Sequence, residues 1–217
     1  MENPMKKAAK EFINHIRQDA RKYDVKVYLS KGKYILCGDG DDAVRVSGDF
    51  NEEKMRIGCA TNKPFEKWIS ILVHEYSHFE QWKDQCPAWV NGFEENGKES
   101  FDDVCAWIKG KKFSERHIKK CIAKARNLEL DCERRTVKNI KKFNLPINLD
   151  NYIRGANAYI YFYNYMLLRR TWYKTGKEPY AIKEVCSQMP TVLKRSYESI
   201  PKKYVELYDK YCFGRSK

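Results

Sequence analysis

The stretch from about Ser114 to Phe143, stopped near Pro146, constrains this 217-residue chain more than any other. It reads as one long helix. With Glu129 set at zero on a helical wheel, Ile118, Ile122, Ala125, Glu133, Thr136 and Ile140 all fall within about 40° of it. Two carboxylates therefore sit inside an apolar stripe that should face a core. A buried carboxylate costs several kcal/mol unless a cation or metal compensates it. The fold must bring positive charge to this stripe, either a metal ion or Arg126, which lies at the stripe's margin. His117 and Asp131 point outward among Lys120, Lys124, Arg135 and Lys138.

A second stretch, "ILVHEYSHFEQWKDQ" over residues 71–85, names the cation. His74 and His78 stand four apart, which on a helix places both imidazoles on one face. Glu75, one residue round, is within reach of a metal-activated water. Chance gives HExxH in about half a percent of chains this long. The alternative is a pair of histidines with ordinary hydrogen bonds. Two histidines do not hold zinc tightly, so a third ligand is expected. Asp84 stands where a metzincin would supply one. That family turns its chain at a glycine three residues after the second histidine, however, and here the position is Gln81. On a continuing helix Asp84 points about 80° away from His74. Glu129 and Glu133 are the better candidates.

"HEYSH" followed by "ELDCER" resembles the gluzincin pattern, in which HExxH is followed by ExxxD on a later helix. It is closest in spelling to the E-F-x-A-D-R element of CaaX-type and heat-shock zinc peptidases. That resemblance implies Zn2+ held by His74, His78 and Glu129, with Glu133 holding a ligand histidine from behind. Glu133 replaces the family's aspartate and is one methylene longer, so the two glutamates could exchange roles. The match covers about 70 residues. The membrane helices of those peptidases are absent, which implies a soluble gluzincin-like core. The C-terminal third resembles only uncharacterised proteins of phage and bacterial type.

The expected fold class is α+β. A zincin-like core over residues 1–145 holds an N-terminal helix, a small antiparallel sheet, the HExxH helix and the long helix. A helical extension, 146–217, packs on the same core. "VKVYLS", "KYILCG", "AVRVSGDF" and "KMRIGCAT" are the strands, short and rich in Val, Ile and Tyr. "CPAWVNGFEENGKES" reads as a loop and residues 101–109 as a short helix. "LDNYIRGANAYIYFYNYMLLRRTWYK" is apolar over most of its circumference and reads as a buried helix. The tail, 178–212, reads as shorter helices broken by Pro190 and Pro201.

The expected activity is peptide-bond hydrolysis, with Glu75 as general base and a protein or peptide as substrate. Tyr159 and Tyr163 are candidate oxyanion donors, and "KMRIGCAT" is a strand that could pair with extended substrate. Net charge is +13, unevenly placed. Residues 1–100 hold 16 Lys/Arg and 17 Asp/Glu, whereas residues 101–217 hold 26 and 12, so the second half carries the excess. Arg134, Arg135 and Lys138 are accordingly candidate nucleic-acid contacts. This leaves two alternative functions: a DNA-associated protease of the Spartan type, and a non-catalytic zinc-containing binding protein. The first uses a third histidine, whereas His117 points away; the second has no need of Glu75. No apolar run approaches the roughly 18 to 20 residues of a membrane span, and no signal peptide is evident. The eight cysteines form no CxxC pair. A cytoplasmic protein with reduced thiols is expected.

Overall fold

A computed structural model describes residues 4–38, 43–94 and 97–215 of the chain. It is α+β, and it divides into two compact units: residues 1–86 with 132–148, and residues 87–131 with 149–217. Residues 87–131 group with the C-terminal segment in the second of these units. Among the described residues no helix is long and apolar enough to cross a membrane. All eight cysteines are unbridged.

The first unit opens with α1 (Pro4–Arg21), which buries Ala9, Phe12, Ile16 and Ala20 at helical spacing. Among the described residues five short strands follow: β1 (Lys26–Ser30), β2 (Ile35–Cys37), β3 (Val44–Val46), β4 (Gly48–Asn51) and β5 (Arg56–Ala60). They do not form the single antiparallel sheet expected from the sequence. β5 lies at the centre of a three-stranded sheet, parallel to β1 and antiparallel to β4, while β2 and β3 pair separately. Connection length explains the difference. β4 and β5 are joined by a tight turn in which the Lys54 amide donates to Asn51 Oδ1 at 2.7 Å, and a tight turn permits only antiparallel pairing. The long excursion from β1 to β5 leaves room for a parallel return.

Helix α2 (Phe65–Lys83) starts directly after Pro64 and carries the HExxH residues. Ile69, Leu72, Val73, Tyr76 and Phe79 are buried. Tyr76 donates to Asp19 of α1 at 2.9 Å, and Lys83 donates to the same carboxylate oxygen. That carboxylate is pulled below its ordinary range: burial opposes ionisation, but the Lys83 and Tyr76 hydrogen bonds outweigh it.

The long helix, α5 (Glu115–Lys142), is continuous across the expected range. Ile118, Ile122, Ala125, Glu133, Thr136 and Ile140 are all buried, and Glu129 is half-buried. From Cys132 onward α5 belongs to the first unit, where it meets α2 through a polar ladder. His74 faces Glu133 at 3.4 Å, Thr136 donates to Ser77 at 2.9 Å, and Asn139 donates to Glu80 at 2.7 Å. Positions 74, 77 and 80 thus pair with 133, 136 and 139, so both helices step by three in the same direction.

In the second unit the stretch expected to be a loop contains a short helix, α3 (Pro87–Gly92), and a bridge between Phe93 and Glu99. Proline at the first helical position starts α3 despite the loop-like composition. Then come α4 (Ser100–Ile108), the first part of α5, and α6 (Leu149–Arg169). α6 is buried over most of its circumference, as expected. It packs with Val104, Ile118, Ile122, Tyr204 and Tyr208 in one aromatic-rich core. The tail forms α7 (Lys183–Cys186) and α8 (Lys202–Leu207).

The ladder generates a prediction for stability. Asn139→Leu removes the donor that compensates the Glu80 carboxylate, whose pKa burial already raises. The variant should lose about 1 to 3 kcal/mol, read as a lower urea midpoint with unchanged slope. An unchanged midpoint would mean that the ladder adds nothing to stability.

Candidate metal centre

The two imidazoles of α2 face each other edge to face, with ring centroids 4.8 Å apart. Each is held at Nδ1. For His74 the partner is the Glu133 carboxylate at 3.4 Å; for His78 it is Gln81 Oε1 at 2.9 Å. A carboxylate and an amide oxygen can only accept, so both rings carry a proton on Nδ1, and Nε2 is the nitrogen left to face a metal once the ring is neutral. That is the tautomer a metal-binding histidine needs. The four residues belong to one unit and to two helices.

Glu129 stands one turn before Glu133 on α5. Arg126, the alternative cation for this stripe, turns elsewhere: it donates to Asn164 at 2.7 Å. Burial lowers its pKa, and Glu198 only partly restores it. The hydrogen bond of Arg126 thus goes to α6.

Reasoning from the sequence overlooks Cys132. Its Sγ lies 3.6 Å from His74 Nδ1 and 3.9 Å from Nε2, and its thiol donates to the His74 carbonyl at 3.4 Å. With His74 and His78 it forms a second set of three donors, all within 4.8 Å of one another. The available signal is its position three residues after Glu129, at the stripe's edge. Gln81 is overlooked too, since in the sequence it stands out only as the absence of a glycine. It is fully buried, and its spacing of three from His78 puts it beside that ring.

Glu75 is buried against β4. A Cβ added at Gly48 would lie 2.9 Å from Glu75 Oε1 and 2.5 Å from Ile71 Cγ2. Only glycine lets the strand pass this close to the carboxylate. Tyr159 and Tyr163 lie on α6, and Tyr163 donates to Tyr159 at 3.2 Å. Burial, first of all, holds both phenols well above their ordinary pKa, and the Glu129 charge adds to it. They remain neutral donors in the neighbourhood of Glu129.

Three expectations change. "KMRIGCAT" cannot receive a substrate strand, because β5 is paired on both edges, by β1 and by β4. Arg135 is committed to Asp84 at 2.6 Å, which leaves Arg134 and Lys138 as the exposed members of the candidate nucleic-acid set. His117 does not point to open solvent. It is half-buried and bonded to Asp103.

Burial opposes charge on His74, but Cys132 and Glu133 outweigh it and raise its pKa well above 6.5. Burial and the neighbouring His74 charge push His78 down to about 3. Charge is thus favoured on His74 and disfavoured on His78. The sign for stability follows. The folded state binds fewer protons at His78 than the unfolded state between pH 6.5 and about 3, so stability from this group falls as pH drops through that window. His74 acts oppositely, stabilising below pH 6.5 and losing that contribution as pH rises through its folded value.

Comparison with protein-family models, curated proteins and solved structures finds no match for the chain.

Two outcomes are expected of this centre. Zinc binding near pH 7 should release about one proton per ion, measured by calorimetry in buffers of differing ionisation enthalpy. No release would show that His74 is already neutral. Gln81→Leu should weaken zinc about 10- to 100-fold in a chelator competition, because His78 loses the group that orients it. Unchanged affinity would leave Gln81 a packing residue.

Proposed function

We propose that this chain is a zinc-dependent metallopeptidase with a gluzincin-like core. The observation that carries the reading is the pair of facing imidazoles, each held at Nδ1 by a different buried acceptor. Two imidazoles supplemented by a carboxylate are a donor set that suits zinc among the first-row transition metals. His74, His78 and Glu129 are the proposed ligands, with Glu133 and Gln81 orienting the histidines.

His74, His78 and Glu129 would hold the zinc, which would supply Lewis acidity toward a peptide carbonyl and a water molecule. Glu75 takes the proton of the attacking water and passes it to the departing amine as the C–N bond breaks. Its position beneath Gly48 keeps the carboxylate out of bulk solvent and fixes its direction. Tyr159 and Tyr163, kept neutral by burial, are the proposed donors to the oxyanion that develops on the carbonyl. The substrate-pairing role expected of β5 passes to β4. Among the described residues β4 is an edge strand of the three-stranded sheet, and its Gly48 adjoins Glu75.

The test combines metal content with turnover of an unfolded protein substrate. Glu75→Gln should retain zinc and lose about 10²- to 10⁴-fold in kcat, since the amide preserves size but cannot accept a proton. Glu129→Ala should lose most zinc affinity, whereas Glu133→Ala should lose about 10- to 100-fold. The reverse order would exchange the two glutamates. Loss of zinc in Cys132→Ser with Glu129→Ala unaffected would transfer the third position to the thiol. Full turnover in Glu75→Gln would sink the mechanism.

A further inference from the structure

We infer that the second unit carries a metal site of its own, formed by Asp103 of α4 with His117 and Cys121 of α5, which takes a thiophilic divalent cation of the zinc class. None of its residues belongs to the centre described above, so it stands independently of the proposed peptidase function.

The first observation is convergence. Asp103 Oδ2 lies 2.8 Å from His117 Nε2, and Cys121 Sγ lies 3.4 Å from the same nitrogen. The donor atoms of all three residues fall within 4.8 Å of one another. Cysteine, histidine and aspartate also compose a nucleophilic triad, but a triad is a relay. In it the base meets the nucleophile through one ring nitrogen and the acid through the other. Here both partners meet Nε2. One nitrogen cannot hold a proton for both, whereas three donor atoms gathered within 4.8 Å of one another suit a shared metal ion.

The second observation is the donor set and its spacing. His117 and Cys121 are one turn apart on a helix, so backbone geometry alone puts them on the same face. Thiolate, imidazole and carboxylate together select zinc over magnesium or calcium. Around tetrahedral zinc, donor atoms stand about 3.2 to 3.7 Å apart. The Cys121–His117 distance already lies in that range, and the Asp103 carboxylate would need to swing outward by about half an ångström.

The third observation is the surroundings. Cys121 is fully buried, and the Asp103 side chain is 15% exposed. Phe113 stacks on the His117 ring at 5.4 Å, which restricts its rotation. Lys98 approaches Asp103 at 2.6 Å but on Oδ1, leaving Oδ2 directed at His117. Glu94 adds negative potential at Cys121, while its Oε1 is held by Ser100 at 2.6 Å and by Lys124 at 2.9 Å; it is not counted as a ligand. An ion here would clasp α4 to α5.

The test uses the full chain, stripped by chelation and titrated with cobalt(II) and with zinc. Wild type should take two equivalents, and Cys121→Ser and His117→Gln should each take one. A near-ultraviolet thiolate-to-cobalt band should survive Cys132→Ser and vanish in Cys121→Ser. His117 is half-exposed, so His117→Gln decides the matter if Cys121→Ser misfolds by circular dichroism. If wild type binds one ion that is lost in these two variants but kept in His74→Ala, the inference stands and the peptidase reading falls. Equal stoichiometry in wild type, Cys121→Ser and His117→Gln, with an unchanged band, would overturn it.

Discussion

The polar ladder between α2 and the C-terminal part of α5 is the interaction on which the first unit's chemistry depends. Apolar packing is non-directional, and two helices joined by it alone could slide by a residue at modest cost. Buried hydrogen bonds do not tolerate a slip, because each misplaced donor or acceptor is then left dry. Ser77 with Thr136 and Glu80 with Asn139 therefore set the register of the two helices. Once that register is set, the pairing of His74 with Glu133 follows from the same step of three.

The two histidines are chemically unequal because their holders differ. Glu133 is a carboxylate and Cys132 an ionisable thiol, and both favour a proton on His74 against the cost of burial. Gln81 is a neutral amide, which orients His78 without adding enough charge to overcome that cost. The stretch of sheet nearest the site is glycine where it passes Glu75. The pair is thus asymmetric: beside a buried carboxylate, charge is favoured on His74 and disfavoured on His78.

The second unit relies on a different kind of packing. Its core is aromatic, with Phe162 and Tyr165 of α6 against Tyr208 and Phe213. Two of the hydroxyls in this core are bonded: Tyr208 donates to the Ala158 carbonyl and Tyr165 to Asp209, each at 2.7 Å. The excess of positive charge in the second half of the chain is in part consumed by pairing. Arg135 meets Asp84 and Arg169 meets Asp209.

Local spacing alone makes much of this molecule legible. A period of 3.6 identifies α1, α2 and α5, a stretch apolar over most of its circumference identifies α6, and two carboxylates on the apolar stripe of α5 announce a need for positive charge. The four-residue step of HExxH places His74 and His78 on one face, because neighbours on a helix are decided by the backbone. What spacing cannot say is which face meets which, and here the tertiary structure decides. Strand direction is illegible because nothing within "VKVYLS" or "KMRIGCAT" records whether the partner runs parallel; only the path of the connection does. Cys132 and His117 escape the sequence for the same reason. A helical wheel locates them at a margin or outside, but it does not show that His74 stands opposite one and Asp103 opposite the other. Those encounters join residues 58 and 14 positions apart, and only the packing of separate helices brings them together.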